Sequence, residues 1–188
     1  LREAKGRVPI VAGDTALRAL AGGGILPDIA VCVDANPANE ADLEGLPPMV
    51  FRETILAADI VSAPRFFRDF ERVFAYRTLN YCLGPDGRPV EKPMGVSWML
   101  DRIRPDIPAW QSGGSVSTNA LSLLDSWGAD PIVFVGQDLA YPGGATHAAD
   151  VGYEEAGFAR AGRFSTRETA AALNLRRAPF SVPAWGGR

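Results

Sequence analysis

Two aspartates near the start of the chain stand where a parallel sheet would place binding or catalytic groups. Asp14, with Thr15, follows one short apolar run, and Asp34, with Asn36, follows the next. Because ligands bind beyond the carboxyl ends of the strands in open α/β sheets, we expect these side chains at one binding edge. Two carboxylates there could hold a divalent cation across phosphates or accept hydrogen bonds from ribose hydroxyls. The competing interpretation makes Asp14 a helix cap and Asp34 a solvated strand end.

A glycine-rich loop at 112–115 precedes a predicted helix and has the composition of an anion-binding turn. Backbone N–H groups at a helix N-terminus favour an anion, and glycines let that backbone approach a phosphate closely. The loop lacks the Lys-Ser/Thr ending of a Walker loop, and no G-x-G-x-x-G pattern is present. The alternative is that Ser115 or Ser117 only caps the helix. The candidate nucleotide- or phosphate-binding residues are Gly113, Gly114, Ser115, Val116, Ser117 and Thr118, and Asn119 adds a further short donor.

A third polar group follows the apolar run 132–135, which is typical of a strand buried in a two-sided parallel sheet. Asp138 and His147, the single histidine, are the candidate catalytic bases, and a histidine titrates near neutral pH. The competing interpretation of His147 is an exposed loop residue without a chemical role. One histidine and two distant cysteines exclude a three-His or Cys/His metal site. The candidate substrate-facing residues are Gly136, Gln137, Tyr141, Gly143, Gly144 and Thr146.

Alternating strand and helix patterns must position these groups. A strand at 8–12, a helix at 16–20 that ends in three glycines, and a strand at 29–33 form a minimal βαβ unit with parallel strands. A second unit contains the helix after the glycine-rich loop, which ends at Gly128, and the strand 132–135. This alternation predicts an α/β sandwich around a mostly parallel sheet.

The rest of the chain has weaker patterns, which come from apolar runs, phenylalanine spacing, turn residues and a capping box. We predict strands at 49–51 and 73–76, helices at 63–70, 95–103 and 165–175, and a turn at 84–87.

Composition excludes several classes of protein. The 188 residues are 47% hydrophobic and 22% charged, which is ordinary globular usage and not that of a disordered chain. The formal net charge of −3 gives no field that would draw the chain to nucleic acid or anionic lipid. No apolar run approaches the roughly 18 residues of a membrane span. Cys32 and Cys82 fit neither a zinc pattern nor a disulfide framework, so we expect a cytoplasmic protein with reduced thiols.

The length of the chain favours a single domain. It begins at Leu1 without an initiator methionine, and residues 183–188 have the composition of a segment that leads into further structure. We therefore expect residues 1–188 to be one core domain that is truncated at both ends.

Two blocks of sequence resemble a known family. The first block comprises VAGDTALRAL (11–20), GILPD (24–28) and VD (33–34). The second comprises GGSVSTNAL (113–121) and GQDLAYPGGATHA (136–148). Together they resemble the motility accessory factor (Maf) family, whose core domain shares a name with the archaeal 6-hydroxymethylpterin diphosphokinase MptE. The first block also resembles thiamin diphosphokinases, more loosely.

The resemblance implies a Rossmann-like core similar to that of bacterial sialyltransferases. It also implies a glycosyltransferase that moves a nonulosonic acid from its CMP-activated form to Ser or Thr of flagellin. On this reading the residues from Gly113 to Thr118 cradle the nucleotide phosphate, and Asp14 and Asp34 flank the nucleotide or a magnesium ion. Gln137, Asp138 and the loop 143–147 face the sugar or the acceptor, with His147 as a candidate base.

Two other functions stay open. The first is a diphosphokinase that moves pyrophosphate from ATP to 6-hydroxymethyl-dihydropterin or a similar alcohol, with Asp14 and Asp34 holding Mg²⁺ across the phosphates. The second is a non-catalytic module that binds flagellin, since a Rossmann-like core can serve as a scaffold. The nucleotide that the chain binds distinguishes the three functions. The glycosyltransferase would bind CMP, the diphosphokinase would bind Mg-ATP, and the non-catalytic module would bind neither.

Overall fold

The computed structural model describes residues 1–92, 95–112 and 114–137. Short 3-10 turns, Asp14–Ala16 and Pro37–Leu43, follow the first two strands. The strands and helices are β1 (Val11–Gly13), α1 (Leu17–Gly22), β2 (Ile29–Cys32), α2 (Pro48–Glu53), β3 (Ile55–Asp59), α3 (Pro64–Asp69), β4 (Val73–Leu83), β5 (Pro89–Lys92), α4 (Gly95–Ile103), β6 (Ala109–Gln111) and α5 (Val116–Ser126).

The strands form one sheet that is mostly parallel. In the described residues β1, β2, β3 and β4 are neighbours in chain order, and each pairs in parallel with the next. The later part of β4 pairs in parallel with β6 and in an antiparallel hairpin with β5. The carboxyl ends of β1, β2 and β3 therefore lie along one edge, which we call the carboxyl edge. The α/β class and the first βαβ unit, in which β1 and β2 are parallel, are confirmed.

Helices cover both faces of this sheet, and the side chains of β2 alternate between them. Ala30 and Cys32 belong to a core with residues of α1, α2 and α3, whereas Ile29 and Val31 pack in a second core that includes Leu123 of α5. Burying one large apolar side chain contributes about 1.5–3 kcal/mol, so each core anchors its helices to the sheet. The chain thus brings α5, which follows β6, back across the second face to β1.

Most of the predicted elements are present. The first helix, the helix near 63–70, the helix 95–103 and the turn at 84–87 lie where the sequence indicates. Helix α5 ends before Gly128, whose φ of 72° is the left-handed conformation that glycine adopts readily at the end of a helix. The predicted helix 165–175 lies outside the described residues.

Two predicted strands are wrong. Residues 49–51 lie in α2, because Pro48 is well suited to the first turn of a helix and Val50 is buried on the helical face. Residues 132–135 have no regular secondary structure and pair with no strand in the described part of the chain, and Val133 is 77% exposed. Their apolar composition indicates burial, but they lie beside β1 without joining its ladder.

The described part of the chain contains no helix with both the length and the hydrophobicity needed to cross a bilayer.

Candidate functional site

Asp14 lies at the carboxyl end of β1 and is almost completely buried, with 4% of its surface exposed. Its Oδ1 accepts a hydrogen bond from Thr15 N at 2.9 Å. Burial raises the pKa of this carboxyl to about 6, although the hydrogen bonds from the Cys32 thiol and Thr15 N oppose the shift. The nearby charges of Asp42 and Asp34 raise the pKa further. Asp14 is therefore a carboxyl group that can gain or lose a proton near neutral pH.

The Cys32 thiol pairs with Asp14 from the end of β2. It is fully buried, and burial, followed by the negative charge of Asp14, raises the pKa of the thiol. A thiol held in its protonated form is a weak nucleophile. Cys32 therefore serves as a hydrogen-bond donor to Asp14, in agreement with the inert thiol predicted from the sequence.

Asp34 and Asn36 follow β2 and are both exposed. Asp34 Oδ2 accepts a hydrogen bond from Asn39 Nδ2 at 2.8 Å, and its backbone oxygen accepts one from Ala63 N. The Asn36 side chain caps the second 3-10 turn by accepting from Ala38 N at 3.0 Å. Asp34 is thus open to a ligand from solvent, and Asn36 performs a structural task.

The first turn of α5 lies at the same edge. Ser115 is the N-cap, and its Oγ accepts a hydrogen bond from Ser117 N at 3.3 Å. Thr118 Oγ1 donates to the backbone oxygen of Ser115 at 2.6 Å. Gly114 has a φ of 88°, a conformation that side chains with a Cβ rarely adopt. Ser115 therefore caps the helix, as the alternative interpretation predicted, and phosphate binding by the loop stays a prediction.

The start of α5 approaches β1 closely. A Cβ on Gly13 would lie 3.0 Å from Val116 Cγ1, so a larger residue would push the helix away from the strand. Ser117 Oγ also donates to Gln137 Oε1 at 2.5 Å. Gln137 therefore lies beside the first turn of α5, although the segment before it is not the strand that the sequence predicted.

A cavity of about 90 Å³ lies between β1, α5 and residues 132–137. Its lining includes Gly13, Ser117 and Gln137 together with apolar side chains. This volume is far below that of a pocket for a drug-sized ligand. A nucleotide at this site would therefore lie over the open carboxyl edge.

A buried hydrogen-bond network beneath this edge was not foreseen from the sequence. Tyr76 Oη donates to the backbone oxygen of Cys32 at 3.1 Å. Asn119 Nδ2 donates to Tyr76 Oη at 3.3 Å and to Thr78 Oγ1 at 3.0 Å. Thr78 in turn hydrogen-bonds to Asp59 through its hydroxyl and its backbone. The network therefore joins β2, β3, β4 and α5.

Burial favours the neutral forms of the ionisable groups in this network. Burial raises the pKa of Asp59, with the hydrogen bonds from Thr78 and Val61 N opposing the shift. Burial also raises the pKa of the Tyr76 phenol, and the charge of Asp59 adds to this effect. The Tyr76 ring packs on Trp110, with ring centroids 4.5 Å apart, which fixes the direction of its hydroxyl.

The sequence does contain signals that could have identified Asp59 and Asn119 as members of this network. Asp59 ends a buried strand, just as Asp14 and Asp34 follow strands. Asn119 is three residues from Val116 and four from Leu123, so it lies on the apolar face of α5. A polar residue on that face predicts a buried partner across the core.

Seven candidate residues lie outside the described part of the chain, and their roles stay predictions. They are Gly113, Asp138, Tyr141, Gly143, Gly144, Thr146 and His147. Among the residues that are described, no group of three or more His, Cys, Asp or Glu side chains lies together in a way that could hold a metal ion. A cation at Asp14 and Asp34 would therefore complete its coordination with phosphate oxygens or water.

Comparison with known proteins gives the family but few relatives. An uncharacterized protein of Treponema pallidum (strain Nichols) is 40% identical over 86 residues, which are 45% of this chain and 21% of that protein. The match thus spans about a fifth of the relative's length. No solved structure matches the chain. The family of 6-hydroxymethylpterin diphosphokinase MptE-like proteins matches residues 1–144, and the chain belongs to this MptE-like family.

Proposed function

We propose that this chain is the core of a cytoplasmic nucleotide-dependent transferase whose carboxyl edge binds the nucleotide phosphate. The donor in this proposal is a CMP-activated nonulosonic acid, and the acceptor is a Ser or Thr hydroxyl of flagellin. The observation that carries it is the placement of the glycine-rich loop and the α5 N-terminus against the end of β1. Membership of the MptE-like family supports a transferase of activated phosphate compounds in general.

The reaction needs charge stabilisation at one point. The acceptor oxygen attacks the anomeric carbon of the sugar, the bond from that carbon to the phosphate oxygen breaks, and CMP leaves with the electron pair. The N–H groups and dipole of α5 favour negative charge at the loop, which is where the leaving phosphate would lie. Gly114 leaves space there, since a Cβ at this position would meet no atom within 4 Å.

The acceptor hydroxyl must lose its proton as the new bond forms. Asp138 and His147 are the proposed bases, because both follow Gln137, which hydrogen-bonds to Ser117 at the loop. The sugar or acceptor would then lie on the side of the loop that Gly136 and Gln137 occupy. Tyr141, Gly143, Gly144 and Thr146 belong to the same proposed segment.

A diphosphokinase is the second candidate, and the name of the family favours it. Its substrates would be ATP and a pterin-like alcohol. Asp14 and Asp34 have the carboxylate chemistry that Mg²⁺ prefers, and Mg²⁺ would neutralise the charge of the phosphates. Asp34 is exposed and ready to bind, whereas Asp14 is buried and must ionise first.

Calorimetry with CMP and with Mg-ATP tests the proposal. Gly114→Ala strains a left-handed residue at the loop, and Gly45→Ala is a matched control with a φ of 72° and equally open surroundings. We expect the wild-type chain to bind CMP, with an affinity about tenfold lower in Gly114→Ala because the anion-binding turn is distorted. Gly45→Ala should bind CMP as the wild type does.

The other outcomes identify the alternatives. Selective binding of Mg-ATP that is lost in Asp34→Ala would replace the glycosyltransferase with the diphosphokinase. Binding of flagellin without affinity for either nucleotide would overturn both enzymes in favour of a non-catalytic module.

A further inference from the structure

Asn119 combines a position in the first turns of α5 with complete burial. It is the fourth residue after the N-cap Ser115, and none of its surface is exposed. Its amide points at Tyr76 and Thr78 of β4, so it does not face a ligand at the carboxyl edge. The sequence pattern predicted that Asn119 would be a further short donor for phosphate. Its location in the fold instead indicates a structural role.

The two N–H groups of Asn119 continue two hydrogen-bond paths. One runs through Tyr76 Oη to the backbone oxygen of Cys32, beside Asp14. The other runs through Thr78 to the carboxylate of Asp59. Each hydroxyl accepts a hydrogen bond from Asn119 and donates one to the next group along its path. A single side chain thus connects α5 to the ends of β2 and β3.

We infer that Asn119 is a positioning residue that holds the first turn of α5 over the carboxyl edge in the orientation that binds phosphate. Phosphate binding by this turn rests on the proposed function, whereas the position of the turn rests on the hydrogen bonds of Asn119. A helix N-terminus stabilises an anion only over the first turn, so a small rotation or lift of α5 would weaken phosphate binding.

The environment of the Asn119 side-chain oxygen indicates that this residue acts through its two N–H groups. Asn119 Oδ1 is buried and has no hydrogen-bond partner among the described residues. An unsatisfied buried acceptor is destabilising, so an apolar side chain of similar size would serve packing alone equally well or better. The amide is useful here because only its two N–H groups reach both Tyr76 and Thr78.

Asn119→Leu separates packing from positioning, because leucine fills a similar volume and donates nothing. Tyr76 and Thr78 keep their bonds to Cys32 and Asp59 in this variant, which favours retention of the fold. We expect the affinity for CMP to fall about tenfold, whereas the affinity for cytidine, which lacks the phosphate, should change less than about twofold. Thr54→Val is the matched control, since Thr54 is also fully buried and its Oγ1 donates one hydrogen bond, to Pro27 O, at 2.9 Å.

Amide hydrogen exchange without any ligand keeps the inference independent of the proposed function. Exchange at Ser117 N and Thr118 N, which bond to Ser115, should accelerate in Asn119→Leu. Exchange at Trp127 N, at the far end of α5, should stay unchanged. If Asn119→Leu does not fold, Tyr76→Phe removes the link to β2 and undergoes the same measurements.

The outcomes separate the two hypotheses. Wild-type chain that binds no CMP, together with faster exchange in the variant, would overturn the proposed function and keep the positioning role. Unchanged exchange, or equal losses of CMP and cytidine affinity, would overturn the positioning role itself. Loss of phosphate-selective binding in Thr54→Val would also overturn it, because any buried polar group would then have the same effect.

Discussion

The two ends of the parallel sheet shift the pKa of their carboxyl groups in opposite directions. At the amino end, Asp28 accepts hydrogen bonds from Lys5 Nζ at 2.5 Å and Ile10 N at 2.8 Å. Burial opposes ionisation there, but these two donors prevail and lower the pKa of Asp28. At the carboxyl edge, burial outweighs the donors and raises the pKa of Asp14 to about 6. Both carboxyl groups adjoin β1, so the difference comes from their surroundings.

This contrast separates structural groups from candidate functional groups. Asp28 and Thr54 stabilise the loops at the amino end of the sheet, because each forms hydrogen bonds to a neighbouring chain segment. Asp14, Asp59 and Tyr76 at the carboxyl edge are all less easily ionised than usual because they are buried. Perturbed groups of this kind concentrate at functional sites, because catalytic and binding groups need pKa values matched to their task.

The largest expected effect comes from the ionisation of Asp14. Its pKa is higher in the folded state than in the unfolded chain, so the folded protein holds a proton that the unfolded chain has released. The free energy of unfolding should therefore fall as the pH rises from about 4 to about 6, by up to about 3 kcal/mol. Asp14→Asn should remove this part of the pH dependence, which urea denaturation at a series of pH values measures.

Two comparisons make this test specific. Asp34→Asn leaves Asp14 in place and should retain its pH dependence. The pH dependence that remains in Asp14→Asn comes from other shifted carboxyl groups, among them Asp59 with a raised pKa and Asp28 with a lowered one. An Asp14→Asn variant with the full wild-type pH profile would contradict the contrast between the two ends.

A smaller effect is expected from Tyr76→Phe. The variant removes the hydrogen bond to Cys32 O and one acceptor for Asn119, and it should lower the free energy of unfolding by about 2 kcal/mol. Tyr81→Phe is the control, because Tyr81 lies on the same strand but is exposed. Chemical denaturation compares the two variants, and equal stability would mean that the buried network contributes nothing.

The smallest effect is expected at the amino end. Asp28→Asn weakens the hydrogen bonds from Lys5 and Ile10 N, and we expect a loss of about 1 kcal/mol near neutral pH. Its sign with pH is opposite to that of Asp14, because the contribution of Asp28 is present above the unfolded pKa of 3.8 and disappears as the pH falls. A loss that grows toward low pH in thermal unfolding would refute this assignment.

The fold was predictable wherever turn residues divide the chain clearly. Three glycines and Pro27 bound the first βαβ unit, and the glycines at 113–114 and 128 bound α5. The strand predicted at 49–51 failed because three apolar residues fit a helix or a strand, and Pro48 decides between them. The prediction of a strand at 132–135 failed because apolar composition alone does not show whether a segment pairs into a sheet.

The described part of the candidate site was predictable in position but not in environment. Asp14, Asp34 and the loop before α5 lie at one edge because parallel strands end together. No local pattern distinguishes the buried Asp14 from the exposed Asp34, since burial depends on Cys32 and the neighbouring turn. The network of Tyr76, Thr78 and Asn119 joins residues more than 40 positions apart, so only the folded sheet brings them together.

The contact between Gly13 and Val116 also bears on the order of folding. The first four strands pair with neighbours that are close in sequence, whereas this contact joins residues 103 positions apart in the numbering, from 13 to 116. Loop closure over such a distance is entropically expensive, and contacts of long sequence separation form slowly. We therefore expect the first four strands to pair before α5 packs against the carboxyl edge, so a chain still emerging from the ribosome would contain these strands before it contained the candidate site.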